Sequence, residues 1–256
     1  MTPALREFAY WMTRYRHNWR SSAVISILNP ILFLLGLGLG LGTLVDATGH
    51  APVPGSSYLA FVAPGVLAAS AMQTAFLELS YPVYRALRMG RSYRIAAGTP
   101  LEPGQIFAGH LLYVMFRLAT TSATFLLAMA VLGATHSMGS LWTVPAAVLT
   151  GLAFATPAAA MAITVQRGAT LQLVFRFVIF PLYMLSGTFF AVSRLPLWLR
   201  DIAYASPLWQ GVDLCRTLSL GTATTTGTLT HIGYLGALTI AGTATAWYCY
   251  RRQLHA

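Results

Sequence analysis

The sequence is 256 residues long, 56% hydrophobic and only 9% charged, with a mean hydropathy of +0.63. Soluble domains carry roughly a quarter charged residues, so this chain lacks the polar material to coat a water-facing surface, and its apolarity equally excludes disorder. All of the basic side chains behind its net charge of +10 are arginines, mostly clustered between apolar runs. That pattern fits anionic lipid headgroups and argues against a nucleic-acid partner.

Residues 2–20 predict an amphipathic helix. Leu5, Phe8, Met12, Tyr15 and Trp19 recur on one face with Trp11 on its flank, while Arg6, Arg14, His17 and Arg20 point elsewhere. Such a helix lies in the membrane interface, either as a plain anchor or as a lever joining a cytoplasmic partner to the first span. Residues 21–45 contain no Asp, Glu, Lys or Arg, and the first span is expected at 22–43. Within it Gly36, Gly38, Gly40 and Gly42 form two overlapping GxxxG pairs, which allow close helix approach within the chain or between two copies.

Five further spans are expected at 58–79, 106–132, 142–165, 171–192 and 229–250. Pro30, Pro64, Pro157 and Pro181 interrupt spans, either as hinges or as ordinary membrane-helix prolines. Between spans 2 and 3, Arg85, Arg88, Arg91 and Arg94 recur every three residues among the aromatics at 81, 84 and 93. One slowly turning helical face is predicted there, ended by the prolines and glycine of residues 99–104. These arginines enforce topology, and a docking surface for a soluble partner is their second reading.

Arg117 lies about three turns into span 3, where an unpaired charge costs at least ~2.5–3.5 kcal/mol. Glu78, near the cytoplasmic end of span 2, is one candidate partner, in a structural pair or as part of a transport path. Arg176, one turn into span 5, snorkels to the headgroups. Residues 193–216 mix Trp198, Ile202, Trp209 and Val212 with five charges, too polar to span and too apolar for a free loop. Two short helices broken at Ser206-Pro207, lying in or dipping into the outer leaflet, satisfy that mixture. Arginine counts in the loops, eleven on one side against three on the other, put both termini in the cytoplasm.

Resident chemistry is missing. Without lysine there is no P-loop, and no nucleophile motif occurs. His17, His50, His110, His136, His231 and His255 have no metal-ligand spacing, and Cys215 and Cys249 make neither a disulfide framework nor a metal cluster. The chain is therefore expected to be no enzyme and to be driven from outside. An ion-gradient-driven secondary carrier, which usually shows intramembrane acid pairs, and a membrane assembly scaffold are the alternatives.

Distinctive blocks occur along the chain: the amphipathic N-terminus, Phe61-Val-Ala-Pro-Gly65, Thr99-Pro100-Leu101, Leu185-Ser186-Gly187-Thr-Phe-Phe190, Leu195-Pro196, and Ser206-Pro207-Leu208 running to Asp213 and Arg216. In these the sequence resembles the ABC-2 family of ATP-binding-cassette exporter permeases, in its nodulation-factor and drug-resistance branches. Ala191 departs from the proline that many relatives carry there. The resemblance implies an all-α integral membrane permease of six helices, a single transmembrane domain over 1–256. Its parts are an interfacial helix (1–21), spans 1–2 (22–79), a cytoplasmic coupling loop (80–105), spans 3–5 (106–192), an outer re-entrant segment (193–228), and span 6 with its tail (229–256).

It further implies a second permease copy and two ATPase subunits that hold ATP and Mg, with no cofactor in this chain. Arg85, Arg88, Arg91, Tyr93, Arg94, Thr99 and Pro100 would belong to the ATPase-coupling helix. Trp198, Pro207, Asp213 and Arg216 would belong to the re-entrant hairpin. The expected activity is export of an amphipathic cargo (a drug, lipid, glycolipid or saccharide) across a bacterial cytoplasmic membrane.

Overall fold

A computed structural model describes residues 3–47, 57–90, 92–98 and 101–254, and the described residues are all-helical. The first helix, α1 (Pro3–Leu35), runs through a widened π turn (Gly36–Gly42) into α2 (Thr43–Ala47). The expected separation between an interfacial helix ending near residue 20 and a distinct first span is therefore not seen. Arg20-Ser-Ser-Ala offers no proline or glycine to stop the helix.

The buried face of α1 also differs from the predicted stripe. Trp11 is 3% exposed and Glu7 is buried, whereas Leu5 is 41% exposed and Phe8, Met12 and Tyr15 are half-buried. The cause lies in α5 (Pro103–Val131), which presents Gly109 to α1. A Cβ there would come within 2.5 Å of the Ala4 carbonyl and 2.6 Å of Glu7 Cβ, so only glycine lets the two helices close. In the glycine run, Gly38 and Gly42 meet Leu59 and Tyr58, while Gly36 and Gly40 face open space.

At the centre stands α3 (Tyr58–Arg88), packed against α5, α6 (Thr143–Thr164) and α10 (Pro207–Leu220). Its start is capped by Ser57, whose hydroxyl accepts the Ala60 N–H. It continues nine residues past the predicted inner end of span 2, through Pro82, and stops where the Met89 and Gly90 amides both turn back to the Arg85 carbonyl. A six-residue helix, α4 (Ser92–Ala97), follows. The single helical face expected over these arginines is interrupted, because α3 carries Arg85 and Arg88 and ends before Gly90, while Arg94 belongs to α4.

α5 begins at a reciprocal cap, with Gln105 accepting the Glu102 amide. Small residues bring α6 close to its neighbours, Gly151 lying against Leu118 and the Ala71 carbonyl. Next come α7 (Gly168–Val174), a π turn (Phe175–Ile179) ahead of Pro181, and α8 (Phe180–Leu185), forming a mostly exposed edge. This span ends at Ser186 and not at 192, because Gly187 adopts φ +75°, a left-handed conformation that turns the chain away.

The pair α9 (Leu197–Ala205) and α10 breaks at Ser206-Pro207 as expected, and α11 (Thr225–Leu254) closes the fold. Among the described residues four helical stretches are long and apolar enough to cross a bilayer: Tyr58–Arg88, Pro103–Val131, Met138–Thr164 and Gly168–Leu185. Helices also cover the expected spans 1 and 6, the latter diluted by threonine and glycine. Exposed Leu32, Phe33, Leu127, Val131, Phe177 and Phe180 give the bundle an apolar exterior suited to lipid.

Candidate functional site

One end of the bundle is built on α4. Its outer side is open, with Ile95 68% exposed, but Tyr93 is 1% exposed. The Tyr93 hydroxyl is hydrogen-bonded to His110 Nδ1 of α5 at 2.6 Å. The His110 ring lies flat on the Trp11 indole, centroids 3.9 Å apart and planes within 10°. Trp11 in turn donates its indole N–H to Glu7 at 2.8 Å. Tyr250 of α11 completes the cluster, 6.0 Å from Tyr93 and 5.1 Å from Phe107 between ring centres. Burial holds the Glu7 carboxyl above the usual carboxylate range, partly offset by the bond from Trp11. Burial likewise pushes up the Tyr93 phenol.

Two hollows flank Tyr10 at this surface. One, of about 340 Å³, lies between α1 and α4 and is lined by Arg6, Glu7, Tyr93 and Ile95; the other, of about 320 Å³, is lined by Arg14, Arg85, Gly90 and Ser92. Arg85 is exposed. Arg88 is partly folded in, with Nε and Nη2 buried and without a hydrogen-bond partner among the described residues. Arg91, Thr99 and Pro100 lie outside the described residues, as do the side chains of Trp19 and Arg94.

Two turns further along α5 from His110, Arg117 Nε meets Glu78 Oε1 of α3 at 3.1 Å. The guanidinium also lies 4.9 Å from the Tyr15 ring of α1. The pair expected from the cost of an isolated buried charge is formed, and it joins three helices.

At the opposite end of α3, Arg216 of α10 is a buried staple. Its Nε donates to the Phe61 carbonyl at 3.0 Å, and its Nη2 donates to the Gly187 and Thr188 carbonyls at 2.8 and 3.4 Å. The guanidinium stacks on the Phe61 ring at 3.8 Å. A Cβ on Gly65 would sit 3.1 Å from Arg216 Nη2 and 3.2 Å from the Thr188 carbonyl, so the glycine leaves room for both. Three sequence blocks far apart in the chain thereby converge on one side chain. Pro207 opens α10 behind the Ser206 cap, which accepts the Leu208 amide, and Trp198 on α9 is 68% exposed. Asp213 Oδ2 lies 3.2 Å from His231 Nε2 of α11, while His231 Nδ1 is bonded to Gln210 Oε1.

His110, Glu7, Gln210 and His231 were not predicted as site residues. His110 carried one signal, its seven-residue spacing from Arg117 on the same helical face. Among the described residues no cluster of His, Cys, Asp and Glu could hold a metal ion.

Apolar spans, a short helix pinned at one end of the bundle and an arginine staple at the other mark an integral membrane protein. The profile of the ABC-2 type transporter family matches residues 6–219, and the chain belongs to that family. It is 33% identical over 234 residues to nodulation protein J of Rhizobium leguminosarum bv. viciae, covering 88% of this chain and 87% of that one. To nodulation protein J of Rhizobium meliloti (strain 1021) it is 32% identical over 238 residues, 89% and 86% of the two chains. To that of Bradyrhizobium diazoefficiens the figures are 31% over 255 residues, 95% and 94%. Membership makes the chain the membrane permease of an ABC exporter, working with an ABC ATPase, and removes the ground from the secondary-carrier and scaffold readings.

Proposed function

We propose that this permease moves an amphipathic cargo (a drug, lipid, glycolipid or saccharide) outward across a bacterial cytoplasmic membrane, with both termini inside. It pairs with a second permease copy and with two ATPase subunits, where ATP and Mg bind. The α4 region and the exposed Arg85 dock on the ATPase, and α1 lies along the inner interface. On ATP-driven closure of the ATPases, spans 1, 2 and 5 shift against the second copy and open a path between the two. Residues 193–216 form the outer re-entrant hairpin. ATP biases this change only through contacts that differ between the two states.

The observation that carries this reading is the position of α4. It is open on its outer side and pinned by one buried tyrosine into the α1–α5 junction, so a push at the inner surface has a route into two helices at once. The test is charge reversal, Arg85→Glu with Arg91→Glu, in the complex with its ATPase. A bimane label on Ala205→Cys, in a Cys249→Ser background, reports outer movement; Ala205 is exposed and Cys215 is buried. The native surface should give an ATP-dependent change in emission, and the reversed one should lose it while hydrolysis continues. An unchanged response in the reversed variant would refute the docking assignment.

A further inference from the structure

Resting on the reading of α4 as the docking helix, we infer that His110 is a positioning residue for transport. Its bond to Tyr93 is the latch that carries displacement of α4 into α5 and α1. A buried histidine in an apolar helix is often mere filling, but four features of this one argue otherwise.

First, Tyr93 is, among the described side chains of α4, the buried one that anchors a helix of only six residues in which Ile95 stands in the open. A short helix is held by its contacts and not by its own hydrogen bonds, so its position follows that anchor. Second, the ring of His110 is wholly buried, its Nδ1 is bonded to Tyr93, and the ring also interacts with the Glu78 backbone of α3. The Tyr93–His110 bond is thus a buried polar tie between α4 and α5. In so dry a setting such a bond is directional and costly to break.

Third, the same ring lies flat against Trp11, so any tilt of the imidazole is felt by α1 as well as α5. Gly109 beside it closes α1 onto α5 with no slack for a side chain. Fourth, Arg117 lies seven residues on, ~10 Å up the same face of α5, where it is paired with Glu78 on α3 and lies near Tyr15 on α1. α5 and α1 are thus tied at two levels, and movement entering at His110 reaches α3 through a charged contact. The bland alternative, in which Tyr93 and His110 simply fill the junction, predicts loss of stability without loss of coupling.

The experiment uses the full permease–ATPase complex in proteoliposomes, with ATP hydrolysis, ATPase retention and the bimane response at position 205 read together. Tyr93→Phe removes one hydroxyl and keeps the ring. His110→Phe keeps a ring on Trp11 and removes both nitrogens. Each should retain the ATPase and hydrolyse ATP within about two-fold of wild type, while the outer response per ATP falls about five-fold or more, the scale of one lost buried hydrogen bond. The double variant should be no worse than either single, because both remove the same interaction. His110→Asn, which restores a polar atom near the Nδ1 position, should recover part of the response.

A wild-type response in Tyr93→Phe, additive losses in the double variant, or no recovery in His110→Asn would overturn the latch. Should Tyr93→Phe disrupt folding, the contrast between His110→Phe and His110→Asn decides the matter alone. Failure of the Arg85 and Arg91 reversal to uncouple, alongside loss in Tyr93→Phe, would instead remove the docking surface and leave the latch standing.

Discussion

Replacing Arg216 by lysine keeps the charge but not the fork that joins three carbonyls. In the native arrangement Nε reaches Phe61 and Nη2 reaches Gly187 and Thr188, with the guanidinium plane on the Phe61 ring. An ammonium concentrates its donors at one point, so it can serve the 187–188 carbonyls or the Phe61 carbonyl but not both. Losing one charge-assisted bond costs ~1.5–3 kcal/mol. Losing the flat stack adds ~0.5–1 kcal/mol. The expected destabilisation is therefore ~2–4 kcal/mol, equivalent to a fall in Tm of about 5–15 °C for a chain of this size. Arg216→Met goes further, stranding the Gly187 and Thr188 carbonyls that line the exit from α8. The assay is thermal unfolding of the detergent-solubilised permease followed by tryptophan emission. A Tm for Arg216→Lys within about 1 °C of wild type would show that the three sequence blocks are held together by packing and not by the guanidinium.

At the Glu78–Arg117 pair, Arg117→Met alone leaves the part-buried Glu78 carboxylate without its partner and should cost ~1–3 kcal/mol, whereas adding Glu78→Leu should restore most of that stability. Equal loss in the single and double variants, by the same unfolding assay, would mean the pair is not the dominant contact there. At Glu7, burial raises the carboxyl pKa above its unfolded value, so its contribution to stability is present at low pH and lost as pH rises through the folded pKa. Glu7→Gln keeps the acceptor for Trp11 and removes that slope. Its Tm should therefore gain on wild type as pH rises above the ordinary carboxylate value of about 4. A pH-independent difference between the two proteins would contradict the burial argument.

Features that depend on local chemistry were legible in the sequence. Proline at 207 fixes the break between α9 and α10, because it suits a first helical turn and disfavours helix in the residue before it. The Glu78–Arg117 pair was legible because a charge that deep must find a partner. Features that depend on what a distant segment offers were not. Nothing near Trp11 says that Gly109 lies opposite and rotates the buried face of α1 toward Glu7. The early end of α8 rests on a left-handed Gly187 whose outer side is closed by Val192, a contact made only after the chain has turned. Arg216 could be singled out by its place in a sequence block, but its partners are backbone carbonyls, which every residue carries and no sequence pattern marks.

The polar contacts within the apolar bundle form a connected set. Tyr93–His110 joins α4 to α5, Arg117–Glu78 joins α5 to α3, and Arg216 joins the opposite end of α3 to α10 and to the chain leaving α8. Between Phe61 and Glu78, α3 runs ~25 Å as buried helix, so its two fixings stand near opposite ends of one rod. Sliding α3 against α5 or α10 would break a charge-assisted contact in a setting where water cannot replace it. Such a set moves as a body more cheaply than it shears. α7 and α8, with little of their surface buried and a π turn between them, are under no comparable constraint. Relative motion within the bundle is therefore cheapest where that edge meets α3, next to the Gly187 turn that Arg216 holds at one end.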